Sequence, residues 1–338
     1  MSVRLRAVPA VLVVALLTAP LAGCASSDPP ATTEAGDEAR SGPYPLTVDS
    51  CGTEVRLEAA PQRIVTIKSS TTELALALGV GDRIVGRAFP DGPFPDALAA
   101  EGETVPLLSE RVPGLEALLA AEPDLVYAGW ESNLSANGAG ERATLHGLGI
   151  ATYVSPAACQ GPGYQPDPLT FEDVFTEIRQ VGALLDVPDA AEHLIAEQRA
   201  TLAGVEPLTG GPTALWYSSG SDIPYVGAGI GAPQMILDAA GLTNIFATVR
   251  QTWSSVGWED VVAADPDVIV LVDASWNTAA RKVEVLESNP ATAQLTAVRE
   301  QRYLVVPFAA SEAGLRNADT VVSLVAQHQA LGQHRAQG

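Results

Sequence analysis

Lysine is nearly absent from this chain: Lys68 and Lys282 are the only two in 338 residues. All basic residues together number 19 against 40 acids, a formal net charge of −21. A nucleic-acid binder needs a basic stripe. None is visible, so that class is set aside, and the acidity is read as a solubility device. Aromatics are also sparse, 5% against 47% hydrophobic, so most core positions fall to Ala, Val and Leu. The four histidines, His146, His193, His328 and His334, are scattered with no i,i+4 pair, and no CxxC occurs. No protein-built metal site is expected. Neither a GxSxG elbow, an HExxH helix nor a P-loop is present. Catalytic residues and a cofactor are therefore not expected, and an extracytoplasmic enzyme is a remote alternative. Gly227-Ala228-Gly229-Ile230-Gly231 lacks the GxGxxG spacing and a ribose-binding acid. It reads as a loop leading to Pro233 at the start of a helix.

What is there begins with a targeting pattern. Arg4 and Arg6 precede an apolar stretch over 8–21, too short for a comfortable membrane span. It ends Leu21-Ala22-Gly23-Cys24, which resembles the lipobox of bacterial lipoproteins, in which the Cys is acylated after cleavage before it. Residues 1–23 are the expected signal peptide. Residues 24–43, rich in Ser, Asp, Pro, Thr and Glu, are the expected tether. The protein is expected outside the cytoplasm, lipid-anchored through Cys24 to the outer face of the membrane. That compartment is oxidising, which allows Cys51 and Cys159 to pair. Two separate buried thiols are the alternative.

Two stretches repeat each other. Residues 113–130 and 256–273 align at a shift of 143, matching Gly114, Glu116, Ala120, Ala121, Pro123 and Asp124 with Gly257, Glu259, Ala263, Ala264, Pro266 and Asp267. Each copy predicts a short helix, a Pro-Asp break and a strand apolar on both faces. The fold expected is α/β: two Rossmann-like lobes, each a mainly parallel sheet flanked by helices, joined by a long linking helix. The boundaries are a first lobe over 44–168, linking helices over 169–206, a second lobe over 207–331 and a tail over 332–338. A helical connector should let the lobes move only modestly.

In open α/β sheets ligands bind beyond the carboxyl ends of the strands. That rule selects Lys68, Ser69, Ser70, Phe89 and Trp130 from the first lobe. From the second it selects Tyr217, Ser218, Trp253, Trp276, Phe308 and Arg316. Aromatics converging on one crevice suit a ligand-binding wall. Lys68 and Arg316 could together hold an anionic group, with surface ion pairs as the bland alternative. Ser70 and Glu73 fit a capping box, which alone would account for both.

The run Pro61-Gln62-Arg63-Ile64-Val65-Thr66-Ile67, then Ser-Thr-Thr-Glu-Leu and Ala-Leu-Gly-Val-Gly-Asp-Arg-Ile-Val-Gly, resembles the opening of ABC-transporter substrate-binding proteins of the helical-backbone type. That group binds ferric siderophores, haem and cobalamin. The two Pro-Asp repeats and Leu237-Asp238-Ala239-Ala240-Gly241-Leu242-Thr243-Asn244-Ile245 fit it, and the resemblance covers about 44–331. It implies a monomer that holds a small ligand between two lobes and delivers it to a permease and its ATPase. It also implies docking by one acid on each lobe. Glu73 matches the first, and Asp238 stands at the second, where relatives often carry Glu. The segments 155–159, 163–170, 216–221 and 225–234 are similar to an actinobacterial subgroup named for binding a precursor of the deazaflavin coenzyme F-420. For such a flat, anionic metabolite, Trp and Tyr could stack on the ring and Lys68 and Arg316 hold the anion. A ferric siderophore, haem or cobalamin is the alternative ligand.

Overall fold

The computed structural model describes residues 44–165 and 167–336. Cys24, with the expected signal and tether segments over 1–43, lies outside the described residues, as do 166, 337 and 338. No helix among the described residues is long and apolar enough to cross a membrane.

A hairpin leads the fold. β1 (Leu46–Ser50) and β2 (Thr53–Leu57) pair antiparallel around Cys51-Gly52, both at positive φ. The first sheet follows, with β3 (Ile64–Ile67), β4 (Ile84–Ala88), β5 (Leu107–Ser109), β6 (Leu125–Ala128) and β7 (Ala151–Val154). Its order is β5-β4-β3-β6-β7 and every pairing is parallel. The crossovers carry α1 (Ser69–Ala77), α2 (Asp96–Gly102), α3 (Leu115–Ala120) and α4 (Arg142–Gly147). β3 and β6 are buried at every position, as strands covered on both faces must be.

The linker is two helices packed on each other, α5 (Phe171–Leu184) and α6 (Pro188–Ala203), and not one long one. Asp186 takes a φ of 57° and Pro188 opens α6, so the chain turns back. Gly182 permits the close approach: a Cβ there would sit 2.4 Å from that of Ala191.

The second sheet holds β8 (Thr213–Ser219), β9 (Tyr225–Gly227), β10 (Thr243–Asn244), β11 (Trp253–Ser255), β12 (Val268–Asp273) and β13 (Tyr303–Pro307). β8, β12 and β13 run parallel in the order β8-β12-β13. β9 and β11 extend the other side antiparallel, and β10 pairs with the start of β8. Its helices are α7 (Ala232–Ala240), α8 (Trp258–Ala264), α9 (Ala279–Ser288), α10 (Thr296–Arg299) and α11 (Asn317–Ala336).

The repeat has a clear structural meaning. In both copies the residue before the proline is left-handed, Glu122 at φ 48° and Asp265 at φ 38°. Proline disfavours the right-handed helical region in its predecessor, so each helix stops there. The aspartate after each proline then pins the start of the neighbouring central strand. Asp124 accepts from the N–H groups of Gln62 (2.7 Å) and Arg63 (3.0 Å), just before β3. Asp267 accepts from the N–H and hydroxyl of Thr213, at 2.8 and 2.9 Å, at the start of β8.

One apolar core runs through the whole assembly. It joins Ile64, Leu74 and Tyr127 of the first lobe to Phe175, Ile178 and Ile195 of the linker. It then continues into Trp216, Ile236, Val270 and Leu324 of the second lobe. Smaller cores cover the outer face of each sheet, around Leu118 and Val126 in the first lobe and Leu215 and Val261 in the second.

The Ser70–Glu73 capping box does not form. Lys68 occupies the cap position of α1 with no side-chain cap, and Glu73 turns to a partner on the other lobe.

Candidate functional site

The carboxyl ends of the parallel strands converge on a cleft of ≈590 Å³ between the lobes. Its base is built on Lys68, the residue after β3. A φ of 90° turns its backbone out of the strand and into α1. The side chain is 1% exposed, and its ammonium pairs with Asp91, in the loop after β4. The ammonium lies 3.7 Å from the ring centroid of Trp130, 4.5 Å from that of Phe89 and 4.9 Å from that of Phe308. Three rings and one carboxylate replace the water that burial removes. Ser69 closes the same knot: its N–H donates to Asp91 Oδ2 (3.1 Å), and its Oγ accepts from the Asp91 N–H (2.8 Å).

The loop between β13 and α11 crosses to the first lobe. Arg316 donates to both oxygens of Glu73, at 2.5 and 2.7 Å, and to the carbonyl of Pro93 at 2.8 Å. Glu73 is 1% exposed and Arg316 14%. Burial pushes the Glu73 carboxyl above the usual carboxylate range, and the guanidinium pulls it back. Beside this pair, Trp130 Nε1 donates to Glu312 Oε2 at 2.8 Å. Burial raises the Glu312 carboxyl too, against the pull of Lys68 and the Trp130 hydrogen bond. Gly314, at φ 154°, lets this loop lie against Ser70.

Apart from Glu312, the described walls are aromatic, polar or small and carry no charge. Tyr225 and Trp253, on the paired strands β9 and β11, stack with planes 16° apart and centroids 6.1 Å apart. Trp276, 62% exposed, meets Phe308 edge-on at 5.7 Å. Between the rings stand hydroxyls and carboxamides, among them Ser155, Ser219, Gln160 and Gln251. Among the described residues lining the cleft, Glu312 is the one charged side chain. One wall is fixed covalently by the Cys51–Cys159 disulfide, with Cα atoms 5.2 Å apart, which ties the leading hairpin to the loop after β7. Tyr164 reinforces it by donating to Asp49 Oδ2 at 3.3 Å.

Of the residues selected from the sequence, Ser70, Trp130, Ser218, Trp253, Trp276 and Phe308 line the cleft. Lys68, Ser69, Phe89, Tyr217 and Arg316 do not. Lys68 and Ser69 are taken up by Asp91, and Phe89 packs edge-on against Trp130 behind the wall. Tyr217 is buried against Trp258 and donates to the Gly220 carbonyl at 2.6 Å. Arg316 is held by Glu73. Neither cation is therefore free to hold an anion. Glu73 is likewise no exposed docking acid, because its carboxylate is enclosed by Arg316. Asp238 is exposed on α7, where Gln234 Nε2 donates to it at 2.7 Å.

Sequence reasoning missed Asp91, Glu312 and the loop over 155–165. Asp91 lies in a Pro-rich loop between β4 and α2, where no periodicity marks it. The Gly-rich loop over 227–231 is a packing device: a Cβ on Gly229 would lie 2.0 Å from the Ala247 carbonyl oxygen. Lys282, the second lysine, is also buried. It donates to the carbonyls of Val272 and Asn277, both at 2.6 Å, and so holds the loop that carries Trp276. Burial lowers its pKa to about 8. Among the described residues no group of three His, Cys, Asp or Glu side chains could hold a metal ion.

Residues 64–310 match the family model described as periplasmic binding protein. The vitamin B12-binding protein of Photorhabdus laumondii subsp. laumondii is 27% identical over 218 residues, covering 64% of this chain and 72% of that protein. The uncharacterized ABC transporter substrate-binding lipoprotein YvrC of Bacillus subtilis is 24% identical over 318 residues, covering 90% and 91%. The solved structure of an ABC-type Fe3+-hydroxamate transport system from Saccharomonospora viridis is 28% identical with a TM-score of 0.72, covering 84% of this chain and 99% of that one.

Proposed function

Because the chain belongs to the periplasmic binding protein family, we propose that it captures a small ligand in the interlobe cleft and delivers it to the permease and ATPase of an ABC importer. It works as a monomer outside the cytoplasm, anchored through Cys24. Asp238 is its exposed docking acid. The ligand is an amide-rich metal complex without net negative charge, a corrinoid or a ferric hydroxamate. One observation carries this choice: among the described residues the walls offer rings, hydroxyls and carboxamides but no free cation. Such walls match amide side chains and apolar ring faces. The relatives named for vitamin B12 and for a ferric hydroxamate system support the same chemistry.

The deazaflavin precursor is the second reading, favoured by the flat face of the Tyr225–Trp253 stack. Its phosphodiester and carboxylate would need cations, and Lys68 and Arg316 are already paired. Haem brings two carboxylates with the same difficulty, and among the described wall residues Tyr225 is the one side chain of an axial type not tied in a disulfide.

Tryptophan fluorescence of the purified protein separates these readings, since Trp130, Trp253 and Trp276 line the cleft. Cyanocobalamin or a neutral ferric trihydroxamate should quench it at micromolar concentration or below. Tight binding of the deazaflavin precursor or of haem, with no response to either metal complex, would overturn the proposal. Cys24→Ala should move the protein from the membrane fraction to the soluble one.

A further inference from the structure

Five ionisable side chains meet at the base of the cleft. Lys68 pairs with Asp91 and Arg316 with Glu73, each pair enclosed by protein. Glu312 is the fifth, and it alone lines the cleft. With all five ionised, two cations against three carboxylates leave one net negative charge, and the carboxylate without a cation of its own is the one facing the cleft. Glu312 Oε2 is occupied by Trp130 Nε1, whereas Oε1 accepts no hydrogen bond from the described residues. Trp276, which is 62% exposed, also lines the cleft, and an indole ring attracts cations.

We propose that Glu312 sets the charge preference of the cleft by accepting from an ammonium or amide N–H of the ligand through its unoccupied oxygen, favouring cationic over neutral over anionic ligands. This rests on the reading of the cleft as the ligand site. Trp130 holds the carboxylate in place, so the acceptor is oriented before the ligand arrives. A charge-assisted hydrogen bond in a partly dehydrated cleft is stronger than a neutral one, whereas a carboxylate brought to the same place is repelled. The Lys68–Asp91 pair beneath Trp130 cannot offset that repulsion without breaking apart.

The test uses one scaffold in three charge states. The first series is a ferric linear trihydroxamate bearing a terminal ammonium, its N-acetyl derivative and its N-succinyl derivative. The second is cyanocobalamin, a derivative with one propionamide hydrolysed to the acid, and one carrying an aminoalkyl amide there. Both series are titrated in 150 mM NaCl, and the ranking is read on whichever scaffold binds. The wild type should prefer the ammonium form over the neutral form by about tenfold, and the neutral form over the carboxylate by a similar factor. In Glu312→Gln, which keeps an oxygen for Trp130 Nε1, both preferences should shrink to about threefold or less. Glu110→Gln removes the same charge from an exposed site outside the cleft and should keep the wild-type ratios. Equal binding of the three forms by the wild type would overturn the inference while the cleft reading stands. So would a Glu312→Gln protein that folds normally and keeps the wild-type ratios. Failure of every member of both series to bind would sink the cleft reading itself, and the inference with it.

Discussion

At the scale of single residues, the enclosed cations Lys68, Lys282 and Arg316 are consumed as structural parts. Arg316 sits in a bidentate bond with an enclosed carboxylate, so removing it strands a buried charge. Arg316→Ala should cost about 3 kcal/mol of stability in urea denaturation. Adding Glu73→Gln to that variant should recover part of the loss, because the stranded charge is gone. Lys282 makes a different prediction. Its pKa falls from 10.5 unfolded to about 8 folded, so between those values the unfolded chain binds more protons. Stability must then rise with pH across that window. The unfolding midpoint of the wild type should climb relative to Lys282→Met between pH 8 and 10.5, and the gap should be flat below pH 7. The neutral amine keeps two N–H donors for Val272 and Asn277, so the Trp276 loop should survive the titration. The strand-end rule found Trp130, Trp253, Trp276 and Phe308 because it depends only on where strands stop. It could not find Asp91 or Glu312. An acid in an irregular loop has no period to betray it, and its partner lies across the fold.

At the scale of elements, the repeat was legible because its parts are local. A proline stops a helix, and an unbroken apolar run makes a strand buried on both faces. What was not legible were the two- and three-residue strands β5, β9, β10 and β11, whose existence depends on a neighbour to pair with. The sharp turn between α5 and α6 was visible at Pro188, but the packing of the two helices against each other needs Gly182 facing Ala191. The disulfide joins elements 108 residues apart in sequence, a hairpin and a cleft wall. Replacing both cysteines by alanine should lower stability by about 2–4 kcal/mol. It should also weaken ligand binding, since Cys159 is itself part of the wall. Equal affinity with lowered stability would show that the bridge serves the scaffold and not the cleft.

At the scale of the whole molecule, 21 uncompensated negative charges repel one another in the compact state. Raising NaCl from about 20 mM to about 500 mM should therefore raise the thermal midpoint, as the screening length shrinks below the spacing of surface charges. Ion pairs across the lobes would work against this trend if they were exposed. In the Glu73–Arg316 pair the carboxylate is buried, so that pair should be little affected.

The apolar core that passes from one lobe through the linker to the other has a consequence for how the chain can be divided. Severed between α6 and β8, each fragment would carry one half of a cut apolar surface, with Phe175 and Ile178 bare on one side and Trp216 and Ile236 on the other. Neither should fold alone. Expressed together, the two should find each other and rebuild the cleft, because the surface that holds them was never a boundary between domains.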